Sequence, residues 1–297
     1  MPREIATIPT PAPAGSFLLA RTGKLAGAVC EDRKLRLWTL PEAKLQHALD
    51  LGNTPNDLAE ISPDGRWLVT GDHHGNAYVW DAASGTQALE LGLKPYPGAV
   101  AFSYDSRLLA LCAMGEPVKV YELATRHVLY ELERPIGGSN AVAFSRDSTR
   151  LATADGDTVV RIYDVRSGKA LARHTDFLQE PFGLDFTIDG KQIVTGGGDK
   201  VIVYLDAASG KALRRMDRTA EPPLILRISP DGKSLAAAYM KADNLLEPGP
   251  VMIFDAATSR RTSEWMPPSR ALGGGWTDDG RLLIATASKD AIHVWQM

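Results

Sequence analysis

The chain has 297 residues, 44% hydrophobic and 23% charged, with a formal net charge of −3. These proportions belong to a folded globular chain and exclude a disordered or collagen-like one. So small a net charge gives no general attraction to a polyanion, and nucleic acid is not an expected partner.

The start, MPREIATIPTPAPAG, lacks the apolar core of a signal peptide, and no later run is long enough to span a membrane. A reducing, cytoplasmic setting without membrane contact is therefore expected. Within that start, residues 3–8 alternate apolar and polar side chains and read as a strand with no neighbouring partner. The clearest later segment runs from Asp57 to Leu91. Leu58–Ser62 is a short alternating strand, a. Pro63-Asp64-Gly65 is a turn, with Pro presetting φ and Gly tolerating positive φ. Trp67–Thr70 is strand b, Asp72–Asn76 a second turn and Ala77–Trp80 strand c. Asp81–Gly85 is a third turn, and Gln87–Leu91 is the outer strand, d. Four strands joined by such short turns make an antiparallel meander.

This unit recurs seven times. The first turn ends at Gly23, Gly65, Ser106, Ser148, Gly190, Gly232 and Gly280. Strand c closes on an aromatic at Trp38, Trp80, Tyr121, Tyr163, Tyr204, Phe254 and Trp295. The step is about 42 residues except across the sixth copy, where extra residues enlarge the b–c turn within Met240–Gly249. A period of roughly 40–45 residues with a Trp-Asp ending matches a propeller blade. The chain resembles the WD-repeat (WD40) family over its whole length. Trp80-Asp81 is a full WD pair; Tyr163-Asp164 and Phe254-Asp255 are conservative versions. The Gly-His pair that often opens each family repeat is absent throughout, a divergence closer to bacterial members. The Asp-His-Ser-Trp network built on it is therefore not expected, although turn aspartates Asp32 and Asp157 remain. The resemblance implies an all-β, seven-bladed β-propeller of four-stranded antiparallel blades, forming one domain over residues 1–297. The last copy has no strand d after Trp295, so residues 3–8 are expected to supply it and close the ring.

By the same resemblance, partners bind the upper face, where b–c turns and d-to-a connections gather. Here those connections are rich in proline, which lowers the ordering cost of binding. They bring Tyr96, Phe177 and Phe182 to one side, and aromatics dominate binding hot spots. His73 and His74 lie in a b–c turn of that face, and Leu245 and Leu246 in the enlarged turn. Adjacent histidines on a tight turn rarely chelate one metal, and no metal site or cofactor is expected. Asp185 and Arg227 occupy equivalent positions in the strands a of adjacent copies and are expected to form a structural ion pair near the channel. The two cysteines, Cys30 and Cys112, read as small buried hydrophobes. Charge is uneven: residues 45–93 hold seven acids and one cation, whereas residues 211–270 hold ten Lys or Arg against seven acids.

No nucleophile elbow, P-loop or metalloprotease motif is present. The leading expectation is thus a non-catalytic scaffold for a protein or peptide. The alternatives are a propeller enzyme of the lactonase or hydrolase kind, with Glu60 and Asp185 in the channel, and an assembly subunit that oligomerises through blade edges. Oligomeric state is not legible in the sequence.

Overall fold

A computed structural model describes residues 2–52, 55–93, 97–113, 115–239 and 247–297, without the side chains of residues 55–57 and 97. Among the described residues it contains twenty-eight strands and no helix. The strands form seven four-stranded antiparallel sheets, the blades of a β-propeller. Six sheets follow chain order; in the seventh, Arg3–Pro9 pairs with Ala291–Gln296. The blades fall into two compact units, one holding the seventh, first and second blades and the other the third to sixth.

Local hydrogen bonds explain why the turn tetrad recurs. Ser62 Oγ donates to Asp64 Oδ1 at 2.6 Å, and the same Asp64 oxygen accepts from Arg66 N–H at 2.9 Å. Ser62 Oγ in turn accepts from Trp67 N–H at 2.8 Å, which starts strand b. The Ser/Thr–Asp bond repeats at Ser103–Asp105, Ser145–Asp147, Thr187–Asp189, Ser229–Asp231 and Thr277–Asp279. Hydrogen bonds from Arg281 and Thr277 pull the Asp279 pKa down to about 2. The turn's last residue is left-handed even where serine replaces glycine, with φ of 57° at Ser106 and 56° at Ser148. A second bonding pattern makes the c–d turns. Asp81, Asp164, Asp206 and Asp255 each accept a hydroxyl three residues on, from Ser84, Ser167, Ser209 and Thr258. The acid of the WD pair therefore builds a turn.

Strands b and c fill the interior. Burial is nearly continuous along Leu25–Cys30, Leu108–Ala113 and Val160–Asp164, as expected for strands covered on both faces. The fifth blade corrects the sequence register. Leu151 pairs with Tyr163 and Arg150 with Asp164; one repeat on, Ile193 pairs with Leu205 and Gln192 with Asp206. Leu205, not Tyr204, thus fills the slot of the closing aromatic. Leu205 packs with Phe186, Ile193 and Val203. Tyr204 faces the other way, among Leu226, Ile228 and Leu235, with the Arg214 guanidinium 3.9 Å from its ring centroid. A one-residue slip on a strand moves every side chain to the opposite face.

The N-terminal clasp forms as expected. Thr7 pairs with His293 and Ile8 with Ile292, while Glu4 accepts a hydrogen bond from Thr7 and contacts His293 Nδ1 at 2.8 Å. Those two contacts hold the Glu4 carboxyl below the usual range. Ile8 is fully buried, in a cluster with Ala28, Cys30, Ile292 and Val294.

Candidate functional site

The antiparallel order puts b–c turns and d-to-a connections at the same end of each blade. In the unit of blades three to six, two consecutive connections each expose one large aliphatic side chain. Ile136 is 84% exposed and Leu178 is 89% exposed. They stand 42 residues apart, at the same position of successive repeats. Both loops are held in place. Leu178 N–H donates to Asp199 Oδ2 at 2.8 Å, and Asn140 Nδ2 donates to Glu180 Oε2 at 3.0 Å and to the Pro181 carbonyl at 3.3 Å. In the neighbouring loop Arg134 Nε donates to the Gly115 carbonyl at 2.7 Å. Gly137, at φ +84°, packs so closely on Gly156 that a Cβ would lie 3.3 Å from its backbone. Leu178 is aimed outward because its neighbour Phe177 turns inward.

Beneath these loops lies a buried polar network in blade four. Asp155 accepts from Ser139 Oγ at 2.6 Å, Thr153 Oγ1 at 2.9 Å and Arg161 Nη1 at 2.7 Å. Arg161 also forks onto Asp157 at 2.9 and 2.6 Å. Burial pushes the Asp155 carboxyl up, against the pull of those partners. Burial also pushes at Asp157, but there Arg161 wins and the carboxyl is held below its usual range. In blade one Arg36 forks onto Asp32 in the same manner at 2.8 and 2.5 Å. Arginine on strand c thus takes the place of the family's histidine network. The signal was present, since Asp32 and Asp157 each precede an arginine by four residues. Of the Trp end of that network, Trp80 and Trp295 keep an indole bond to Thr70 and Thr286, each at 3.0 Å.

The remaining expected site residues divide. Phe182 is half-buried, at a register shift in the strand Pro181–Phe186. Phe177 was expected at the surface, but it is buried at 4% exposure, edge-on to His174 with ring centroids 5.2 Å apart. It caps the core of its blade, so Phe177→Ala should cost about 3–5 kcal/mol. Leu178→Ala should change stability by less than about 0.5 kcal/mol. Chemical denaturation of the two variants checks the contrast. His73 and His74 are exposed on the turn after Asp72, in the other unit, and Asp72 accepts the His74 N–H at 2.9 Å. Tyr96, Leu245 and Leu246 lie outside the described residues.

Asp185 and Arg227 do occupy equivalent positions, opposite Val194 and Ala236. The expected direct ion pair is replaced by bonds to each other's strands. Asp185 accepts the Ile228 N–H at 2.8 Å and its own neighbour's, Phe186, at 2.9 Å. Arg227 Nη1 donates to the Leu226 carbonyl at 2.9 Å and the Leu184 carbonyl at 3.4 Å. Burial raises the Asp185 pKa, and the Arg227 charge opposes it. Both Asp185 oxygens are committed to backbone donors, which suits a structural role better than a catalytic one. Glu60 likewise accepts the N–H of Ile61 at 3.1 Å. Among the described residues no three His, Cys, Asp or Glu side chains gather to hold a metal.

The family profile described as "WD domain, G-beta repeat" matches residues 46–81 and 129–164. Each match runs from one outer strand through the next strand c, in register with the blades. Two of the repeats of this seven-bladed propeller thus match the WD-repeat profile. The propeller superposes on a chain of the "Crystal Structure of Mitotic Checkpoint Complex" with a TM-score of 0.83 and 19% identity, covering 99% of this chain and 91% of that one. That likeness concerns the fold. In sequence it is similar to the "Small ribosomal subunit protein RACK1y" of Oryza sativa subsp. japonica, 26% identical over 34% of this chain and 30% of the relative. It is also similar to the "Small ribosomal subunit protein RACK1" of Drosophila melanogaster, 28% identical over 34% of this chain and 31% of the relative. The matched segment thus spans about a third of each relative. No helix among the described residues of the propeller is long and apolar enough to cross a membrane.

Proposed function

We propose that the propeller is a non-catalytic platform that binds a protein or peptide on its upper face, with contact centred on Ile136, Leu178 and Phe182. The observation that carries this reading is the pair of aliphatic side chains, 84% and 89% exposed, at equivalent positions of two consecutive connections. Large apolar side chains held out by pinned loops gain burial on binding and lose little conformational freedom. Phe182, half-buried near the start of its strand, adds an aromatic to the same end. The WD-repeat resemblance supports an interaction role. The two relatives are, by their names, components of a ribosomal subunit, which agrees with a propeller that works inside an assembly. Tyr96, Leu245, Leu246, His73 and His74 enter the proposal on sequence alone, as loop residues of the b–c and d-to-a ends of their own blades.

The test is affinity capture from the native source with immobilised wild-type protein, the Ile136→Asp/Leu178→Asp double variant and Phe182→Ala. A specific partner should be retained by wild type and lost by the double variant. Phe182→Ala should weaken binding by roughly 2–4 kcal/mol, the loss typical of a hot-spot truncation. The melting temperature of the double variant should not change, because neither side chain is packed. Capture of the same partner by the double variant would refute the site.

A further inference from the structure

In the unit of blades seven, one and two, a recess of about 380 Å³ opens where the clasp meets blade one. Its apolar wall is Ile5 from the clasp with Leu40 and Pro41 from the c–d corner of blade one. Its polar rim is Lys24, Glu42 and Arg281.

Each wall has a structural cause. A register shift between Glu4 and Ala6 takes Ile5 out of the ladder, where it is only partly buried. Leu40 is 4% exposed, and its N–H donates to the Lys24 carbonyl at 2.9 Å, tying the c–d corner to the a–b turn. Gly23, at φ +66°, leaves room for the Arg281 guanidinium: a Cβ there would stand 3.0 Å from Nη2. Asp279 holds that guanidinium, with Nε 2.9 and 3.0 Å from its oxygens. Among the described residues Lys24 and Glu42 form no ion pair and no side-chain hydrogen bond. The recess therefore combines a greasy wall with one uncompensated cation, a second cation held in position and one carboxylate at the rim.

We propose that this recess binds a small apolar carboxylate of about five to seven carbons, with its hydrocarbon on Ile5, Leu40 and Pro41 and its carboxylate on Lys24 and Arg281. The volume is ample for such a ligand. Glu42 offers an ammonium group a partner, so a free apolar amino acid and its deaminated acid are two sources of the same chemistry. Because Ile5 belongs to the clasp, the site is complete only when residues 3–9 are docked. Binding therefore favours the closed ring by mass action.

The experiment uses the full chain at constant ionic strength, with 4-methylpentanoate and L-leucine as probes and acetate and isoamylamine as controls. Calorimetry should show saturable binding of at least one probe. At about ten times its Kd, that probe should slow amide exchange in residues 5–8 and raise the melting temperature by about 2 °C. Leucine binding more tightly, with the advantage lost in Glu42→Gln, assigns the amino acid as the ligand. Equal or tighter binding of 4-methylpentanoate assigns the simple acid. Lys24→Gln, an exposed change that should leave the free protein's melting unaltered, should weaken either probe at least fivefold. The proposal is overturned if neither probe saturates, if acetate or isoamylamine protects the clasp equally, or if Lys24→Gln binds as wild type does.

Discussion

Deleting residues 1–9 is expected to lower the melting temperature by about 10 °C, the consequence of losing roughly 5 kcal/mol. Two losses combine. Ile8, wholly buried, is removed from a cluster with Ala28, Cys30, Ile292 and Val294, and Ala6 goes with it. Burial of one such side chain is worth about 1.5–3 kcal/mol. The ladder from Arg3–Gln296 to Pro9–Ala291 also disappears, at about 0.5–1.5 kcal/mol for each hydrogen bond. The strand Ala291–Gln296 is then left as an open edge, and the truncated protein should aggregate on heating more readily than wild type. Ile8→Ala isolates the packing share and should cost about 2–5 kcal/mol with the ladder intact. The check is thermal and chemical denaturation of both variants; a truncation that melts with wild type would show that the clasp closes nothing.

Arg161→Ala is expected to destabilise by about 3–5 kcal/mol, because it leaves the buried Asp155 carboxylate without its cation. The Asp155 side chain is wholly buried, and among the described residues the Ser139 and Thr153 hydroxyls remain as its donors. The pH dependence identifies the cause. Asp155 already titrates above its usual range in the folded protein, and loss of Arg161 raises it further. A carboxyl with a raised folded pKa penalises the fold above that pKa, and the penalty fades as pH falls toward the unfolded value of about 3.8. The deficit of Arg161→Ala should therefore shrink as pH falls from neutral toward the unfolded value. Asp157 loses the same arginine, which held its carboxyl down against burial, so its pKa rises too and adds to the same trend. Asp155→Asn in the Arg161→Ala background should recover part of the loss at pH 7. A deficit below about 1 kcal/mol, or one that does not vary with pH, would mean that the network is solvated.

What was legible in the sequence was local. The a–b and c–d turns are held by bonds between residues two to five apart, such as Ser62–Asp64, Ser62–Trp67 and Asp81–Ser84. Chemistry of that reach must be written into each repeat, so blade number and order could be counted. The clasp was also readable, because an alternating segment without a local partner complements a blade short of one strand. The arginine networks were as local, with Asp32 and Asp157 four residues before Arg36 and Arg161, but they were obscured by expectation of histidine.

The rest depended on how strands pack. Tyr204 and Leu205 both suit a buried strand, and only pairing of Ile193 with Leu205 decides which enters the closing slot. Phe177 and Leu178 are neighbours of equal hydrophobicity, and the ring of His174 draws the first inward while the second is left exposed. Asp185 and Arg227 were placed at equivalent positions by the period alone. They bond instead to backbone groups of their own and each other's strands, among them Ile228 N–H and the Leu184 and Leu226 carbonyls. The sequence by itself determined where the chain turns and how many blades it makes, because turn energies are settled within a few residues. Which side chains face out, and therefore what the surface can bind, was decided only by tertiary packing, because a strand has two faces and its neighbours choose between them.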